Sequence, residues 1–322
     1  MKREGYKVEE CTAAEGAEFP ARRALKALQD TIGREDRFVV IEDGGYITPL
    51  LHEDEFASLR DQCIGVVEQT TKGLRSVKAV DQSRGLRLPI VAVAESDLKL
   101  RLEAAEVGEA LAFTLESYFR QTLDTHLHRV PTLVIGYGAV GRPLAEALAS
   151  RGAKVTVFDL DPNRQIEASV NKLVDTVDSL DDLSQYRLVV GTTGTTSLKS
   201  DLLSAASDGI ILASGSSDRL EFDLTGLIQQ VAQPLDANVI QQDLRTTYNL
   251  RNGRSVSLLC DGYPINFIIG DGIAKSVIDP ILTELVAGAV LLATGIIQGP
   301  GIKRLPKELE QELWHLYRTL HP

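Results

Sequence analysis

The sequence predicts an α/β chain of two lobes, one of them a doubly wound parallel sheet. Three observations carry that reading. Short β-branched runs alternate with segments of helical spacing along most of the chain, which is the signature of parallel β-α-β units. A Gly-rich turn sits between an apolar strand and a helix at 136–141. The length, 322 residues, suits about two domains.

Taken in order, Ala21 to Asp30 has helical spacing, and Arg37 to Ile41 is a β-branched run closed by Asp43-Gly44-Gly45. Asp54 to Gln62 reads as a helix, Ile64 to Val67 as a strand, Lys72 to Gln82 as a helix and Pro89 to Val93 as a strand. One long amphipathic helix is then expected from Ser96, its N-cap, to about Leu123. Thr132 to Ile135 (strand), Ala139 to Ser150 (helix) and Lys154 to Phe158 (strand) form the clearest segment, and Leu188 to Val190, Gly209 to Ala213 and Val256 to Cys260 are further strands. A long helix follows from about Ala274 to Ile297. Its most apolar stretch, Leu285 to Ile297, is 13 residues, too short to span a bilayer, and is expected to be buried. Pro306 to Leu320 carries Leu309, Leu313, Leu316 and Leu320 around Trp314, a packing stripe.

Composition excludes several classes. At 43% hydrophobic, 25% charged and 12 prolines the chain has material for a core. Its net charge of −11, from 34 basic and 45 acidic side chains, gives no long-range attraction to phosphate backbones or anionic lipid, so neither nucleic acid nor membrane is an expected partner. Cys11, Cys63 and Cys260 are widely spaced with no ligand pattern around them and read as reduced thiols, no metal being expected. The charged N-terminus lacks an apolar leader region, and a cytoplasmic protein is expected. His126 and His128, two apart near the expected end of the long helix, point in different directions and make a poor metal pair; they read as surface residues or as residues at the helix's C-terminal dipole.

The turn Gly136-Tyr137-Gly138-Ala139-Val140-Gly141 is a GxGxxG opening a helix. The first Gly permits the tight turn, the second lets backbone approach a pyrophosphate, and the third allows close helix-to-strand packing. The helix N-terminus then faces the phosphates. Asp159, at the end of the next strand, is placed to accept the ribose hydroxyls of NAD and repel a 2′-phosphate. Arg164 is the one nearby group suited to a 2′-phosphate; NAD is expected over NADP. Thr192, Thr193 and Gly194, in Gly191-Thr192-Thr193-Gly194-Thr195-Thr196, follow another strand end, either as a helix-capping loop or as a cofactor contact, and position favours the cofactor.

In order, Asp43-Gly44-Gly45, Glu68-Gln69-Thr70-Thr71-Lys72-Gly73, Leu88-Pro89, Lys99, the GYGAVG turn, Gly191-Thr192-Thr193-Gly194, Glu221-Phe222-Asp223 and Asp261-Gly262-Tyr263-Pro264-Ile265-Asn266 resemble the S-adenosylhomocysteine hydrolase family from about Phe38 to Leu292. The resemblance implies tightly bound NAD, a Rossmann domain at 104–273, and a truncated α/β substrate lobe from 1–103 plus 274–322. It also implies oxidation of a ribose 3′-hydroxyl, elimination of the thiol, addition of water and reduction of the ketone. By position it makes Asp43 and Lys99 the active-site Asp and Lys, with Lys99 helping deprotonate the hydroxyl. Thr70, Thr71, Thr192, Thr193 and Asn266 line the cofactor, and Asp159 replaces the family's ribose-binding Glu.

The sequence also departs from the family. Glu103, four residues after Lys99, stands for an Asp, and Ala104 replaces the adjacent catalytic Asn. Gln69 replaces a substrate-contacting Glu, Ser217 an active-site His, and Ile273 a His beside adenine. The family's N-terminal adenosine-binding part is expected to be largely absent, and its C-terminal Lys and Tyr to be missing. These departures speak against hydrolysis of S-adenosylhomocysteine and leave a set suited to hydride transfer: NAD, a lysine, and carboxylates to hold it. A lysine partly withdrawn from water and near positive charge becomes a base near neutrality. The expectation is an NAD-dependent enzyme oxidising a secondary alcohol of a small molecule, catalysed by Lys99, Asp43 and Glu103. A non-catalytic NAD-binding or regulatory protein and a variant adenosylhomocysteinase are the alternatives. The missing part leaves open a homo-oligomer or a partner chain that completes the substrate site.

Overall fold

The computed structural model describes residues 18–270 and 272–320. The chain divides into two compact units, one made of 1–100 with 275–322 and the other of 101–274.

In the first unit, β1 (Phe38–Glu42), β2 (Cys63–Glu68) and β3 (Pro89–Ala92) pair in parallel. Each β-branched run is followed by a helix that returns the chain to the same edge, as β-α-β units require. A three-residue strand that the periodicity does not reveal, Gly301–Lys303, joins β3 in parallel and completes the sheet. The core holds Val66, Ile90 and Ala92 from the sheet with Leu74, Val77 and Phe56 from its helices.

The helix Lys275–Ala293 closes this unit. Its buried residues Val277, Ile281, Glu284, Leu285, Gly288 and Leu292 recur at three and four, the stripe of a helix seated on a sheet. Gly288 lets it approach closely, since a Cβ there would meet Val67 at 3.1 Å and Val91 at 3.3 Å. The helix has 19 residues, so the 13-residue measure understates it. By length and composition alone it is long and apolar enough to cross a membrane; one face packs on its unit, with Glu284 fully buried and bonded to the Ser96 hydroxyl at 2.7 Å, while Leu282, Val286, Val290 and Ile296 are exposed, so the stretch expected to be buried is buried along that face only.

In the second unit, β4 (Pro131–Ile135), β5 (Lys154–Phe158), β6 (Asp175–Thr176), β7 (Leu188–Gly191) and β8 (Ile210–Ser214) are parallel. The hairpin β9 (Val239–Gln242) and β10 (Arg245–Asn249) is antiparallel to β11 (Ser255–Leu259), which pairs with β8 in parallel. The spatial order is β6-β5-β4-β7-β8-β11-β10-β9. Its six parallel strands follow the 3-2-1-4-5-6 order of a doubly wound dinucleotide fold, with the reversal between β4 and β7. Alternation along β4 sends Val134 to one core with Leu111 and Leu144, and Leu133 and Ile135 to the other with Leu203 and Leu227. Both faces are therefore covered, as parallel sheets demand. Strand β12 (Gly301–Lys303), in the first unit, and the helix Lys307–Leu320 end the chain.

The helix expected from Ser96 forms in two registers. Leu98–Glu103 is π-helical and Ala104–Gln121 is α-helical, and the Ser96 hydroxyl accepts the Lys99 backbone N–H at 3.1 Å. The α-helix stops at Gln121, so His126 and His128 lie in the following loop and not at the helix terminus. Strand β11 ends before Cys260, which sits in a turn at φ 50°.

Candidate functional site

The Gly-rich turn leaves β4 at the point where strand order reverses. Gly136 has φ 97°, which favours glycine. Gly141 starts the helix Gly141–Ser150 so close to β4 that a methyl group there would overlap the Gly136 carbonyl and the Thr192 hydroxyl. The Thr192 hydroxyl donates to the carbonyls of Ile135 and Gly136, both at 3.0 Å. Gly136 and Gly141 are thus held against Thr192 of the loop after β7, where Thr193 and Gly194 follow, and Gly138, Ala139 and Val140 complete the turn between them. Asp159, at the end of β5, is 8% exposed. Its carboxylate accepts the Tyr137 N–H at 2.6 Å and the Asp161 N–H at 2.9 Å, which holds it beside the turn.

Two residues that sequence reasoning did not assign stiffen this edge. Glu221, fully buried, accepts the Thr193 hydroxyl at 3.0 Å and also takes the Gly194 N–H and the Ser216 hydroxyl. Ser216 in turn accepts the Gly194 N–H at 2.9 Å. The neighbouring Ser217, at the position of the family's His, is exposed. A Glu in Glu221-Phe222-Asp223, one residue past an exposed loop, is the available signal. Asn266 lies just beyond Pro264, which bridges to Ser214 at the end of β8. It is 1% exposed, and neither polar atom of its amide has a hydrogen-bond partner among the described residues. An unsatisfied buried amide is costly, and a ligand bonded to it would relieve that cost.

In the first unit, two fully or nearly buried glutamates end neighbouring strands in register, Glu42 on β1 and Glu68 on β2. Glu42 accepts the Thr48 hydroxyl at 2.7 Å and the N–H groups of Ile47 and Thr48. Glu68 accepts the Thr70 N–H and hydroxyl, each at 2.7 Å, and the Gly44 N–H at 3.3 Å. Burial, with Glu42 nearby, holds the Glu68 carboxyl above the usual range. The pair ties the Asp43-Gly44-Gly45 loop to the start of the helix Thr71–Arg84. Gly45, at φ 70°, lies directly on the Gly73 backbone, with no room for a side chain. Thr70 caps that helix through the Gly73 N–H at 2.9 Å, so its hydroxyl is occupied at both ends. Asp43 and Thr71 are exposed and Lys99 is half-buried on the π-helical turn, a register common at functional positions.

The candidate residues therefore fall in two groups. Asp43, Thr70, Thr71 and Lys99 belong to the first unit; Glu103, the turn, Asp159, the Thr192 loop and Asn266 belong to the second. Cys63 and Cys260 are free and buried, and burial pushes their thiols up to about 12 and about 11. Burial of this kind disfavours the nucleophilic thiolate. Cys11 lies outside the described residues. Among the described residues no group of three or more His, Cys, Asp or Glu could hold a metal.

Residues 114–272 match the family model described as S-adenosyl-L-homocysteine hydrolase, NAD binding domain. Over these residues the chain is a homologue of that family's NAD-binding domain. It is 29% identical over 281 residues to an adenosylhomocysteinase of Thermotoga maritima, covering 85% of this chain and 66% of that one. An adenosylhomocysteinase of Sulfolobus acidocaldarius is 29% identical (75% of this chain, 56% of that one), and an S-inosyl-L-homocysteine hydrolase of Methanopyrus kandleri 24% identical (86% and 64%). The chain spans 56–66% of the length of these relatives. Among solved structures, a dipicolinate synthase from Bacillus halodurans aligns with a TM-score of 0.45 at 15% identity, covering 74% of this chain and 69% of that one.

NAD is the cofactor of this hydrolase-family domain. The residues present fit it: a turn whose three glycines leave backbone uncovered by a Cβ at a helix N-terminus, a tethered carboxylate at the end of β5, and the orphaned amide of Asn266. The turn would hold the pyrophosphate, Asp159 the adenosine ribose, and Thr192, Thr193 and Asn266 the nicotinamide half.

Proposed function

We propose that this chain is an NAD-dependent enzyme that oxidises a secondary alcohol of a small-molecule substrate. The oxidation is either a net dehydrogenation or a transient step that enables epimerisation or elimination, and the substrate is not S-adenosylhomocysteine. The observation that carries it is the intact nucleotide edge of the second unit, built around the GYGAVG turn and the Asn266 amide, together with altered substrate positions. Gln69, Ala104, Ser217 and Ile273 stand where the resembled family has acid-base or adenine-binding groups. NAD, when bound, supplies the acceptor for the hydride.

The rest falls to the chain's own side chains. Lys99 takes the hydroxyl proton as hydride departs, since an alcohol oxidised to a ketone must lose both. Asp43 and Glu103 are carried over by position as the carboxylates of that chemistry. The Glu42 and Glu68 anchors keep the Asp43 loop from drifting, because each holds backbone N–H groups of the turn or of the helix beside it.

Mass spectrometry of small molecules released by denaturing the purified protein tests this reading. The expected result is tightly held NAD, partly reduced, with a co-released ketone or alcohol that defines the substrate class. Lys99→Ala is expected to lower turnover of that substrate by about 100-fold or more, the usual contribution of a general base, while nucleotide retention is unchanged. Freely exchanging NAD that no alcohol reduces points instead to a regulatory NAD-binding protein, and unchanged turnover in the lysine variant removes Lys99 from the chemistry.

A further inference from the structure

Arg164 lies where the nucleotide reading leaves a charge unused. It follows Asp159 by five residues, in the first turn of the helix Pro162–Val170, whose N-cap is Asp161. Its Nη1 is 3.5 Å from Asp159 Oδ2 and its Nε 3.9 Å from Asp161 Oδ2. The guanidinium also covers the second glycine of the turn, since a Cβ on Gly138 would meet Arg164 Nη1 at 3.3 Å and Cζ at 3.5 Å. The side chain is 49% exposed while that of Asp159 is 7% exposed, so the cation stands outside and the carboxylate behind it. A guanidinium carries five donors, and two long carboxylate contacts leave most of them facing the approach to the turn.

Resting on the NAD reading, we propose that Arg164 is a second determinant of cofactor choice, working against Asp159. Beside the carboxylates of Asp159 and Asp161 it is outnumbered, so a 2′-phosphate meets net negative charge and NAD is preferred. The carboxylate of Asp159 is then the barrier at the ribose edge, because the group that would pair with a 2′-phosphate is already in place. Removing that one charge leaves Arg164 only the long 3.9 Å contact with Asp161 Oδ2, so a 2′-phosphate can take the guanidinium as a bidentate partner.

Equilibrium binding of NAD and NADP by calorimetry, on protein freed of nucleotide by partial unfolding and refolding, tests this without any turnover. In Asp159→Asn, which keeps one acceptor for the tethering N–H groups, NADP affinity is expected to rise about tenfold or more and NAD affinity to fall. Adding Arg164→Gln should abolish the NADP gain. Arg164→Gln alone should lower the NADP affinity of the wild type further, since it removes the one group that attracts a 2′-phosphate. Asp159→Ser and a thermal melt of each variant separate lost recognition from lost folding. The proposal is overturned if neither Asp159 variant, folded, gains NADP affinity, or if the double variant keeps the gain. Wild-type protein that binds neither nucleotide, yet melts cooperatively, overturns the NAD reading itself and this inference with it.

Discussion

At the scale of single residues, the groups that matter most are buried carboxylates and amides, which composition cannot reveal. Glu68 is the sharpest case. It is fully buried, accepts three hydrogen bonds through one oxygen, and its Oε2 has no hydrogen-bond partner among the described residues. Burial raises its folded pKa above the unfolded value. A carboxyl so raised contributes stability that is complete below its unfolded value and is lost as pH climbs through the folded one. Glu68→Gln removes that ionisation while keeping an acceptor for Thr70 and Gly44. We expect the variant to melt at least about 2 °C above the wild type at pH 8, with the gap closing towards pH 4.5. A variant less stable at both pH values would show that the ionised form is the one the fold needs. The sequence reveals Asp159 and the glycines because their spacing is itself the signal, whereas Glu42, Glu68, Ser216 and Glu221 act through partners that no local spacing identifies.

Elements are legible where a periodic run is long. Strands β1 to β5 and the helix after the Gly-rich turn follow directly from apolar alternation and from the turn residues between them. The helix Ile47–Leu51, the hairpin β9–β10 and the three-residue β12 escape, because a segment of so few residues has no period to read and is held by what it packs on. His52 shows how such a short element is fixed. It caps the helix Ile47–Leu51, with Nδ1 2.8 Å from the Thr48 carbonyl, and its Nε2 accepts the Arg87 N–H at 3.0 Å ahead of β3. That pattern admits only the neutral ring protonated at Nδ1. Burial chiefly, then the charges of Arg60, Arg84 and Arg87, lowers its pKa from 6.5. Stability from a neutral buried ring is complete above the unfolded value near 6.5 and falls as pH drops towards the folded one. Urea midpoints measured from pH 7.5 to 5.5 are expected to decline in the wild type and to decline less in His52→Leu. Parallel slopes for the two proteins would remove His52 from the acid response.

For the whole molecule, the family match at 114–272 falls inside one compact unit, Arg101–Ala274. The assignment of Asp43, Thr70, Thr71 and Lys99, in the other unit, rests on resemblance and on the carboxyl-edge positions that parallel strands provide. These two kinds of support predict different responses to ligand. Nucleotide that binds only the folded state at 100 times its dissociation constant adds about 2.7 kcal/mol of stability, and that gain enters where the contacts form. Hydrogen exchange with and without saturating NAD is therefore expected to slow at Gly136–Gly141, at Thr192–Gly194 and around Asn266, whose amide acquires partners. Protection at the Asp43 loop and the turn carrying Lys99 should change further only when the alcohol substrate is added, because those residues are assigned to it. Slowing confined to the first unit would mean that the glycine turn is a packing device and that the ligand of this chain binds elsewhere.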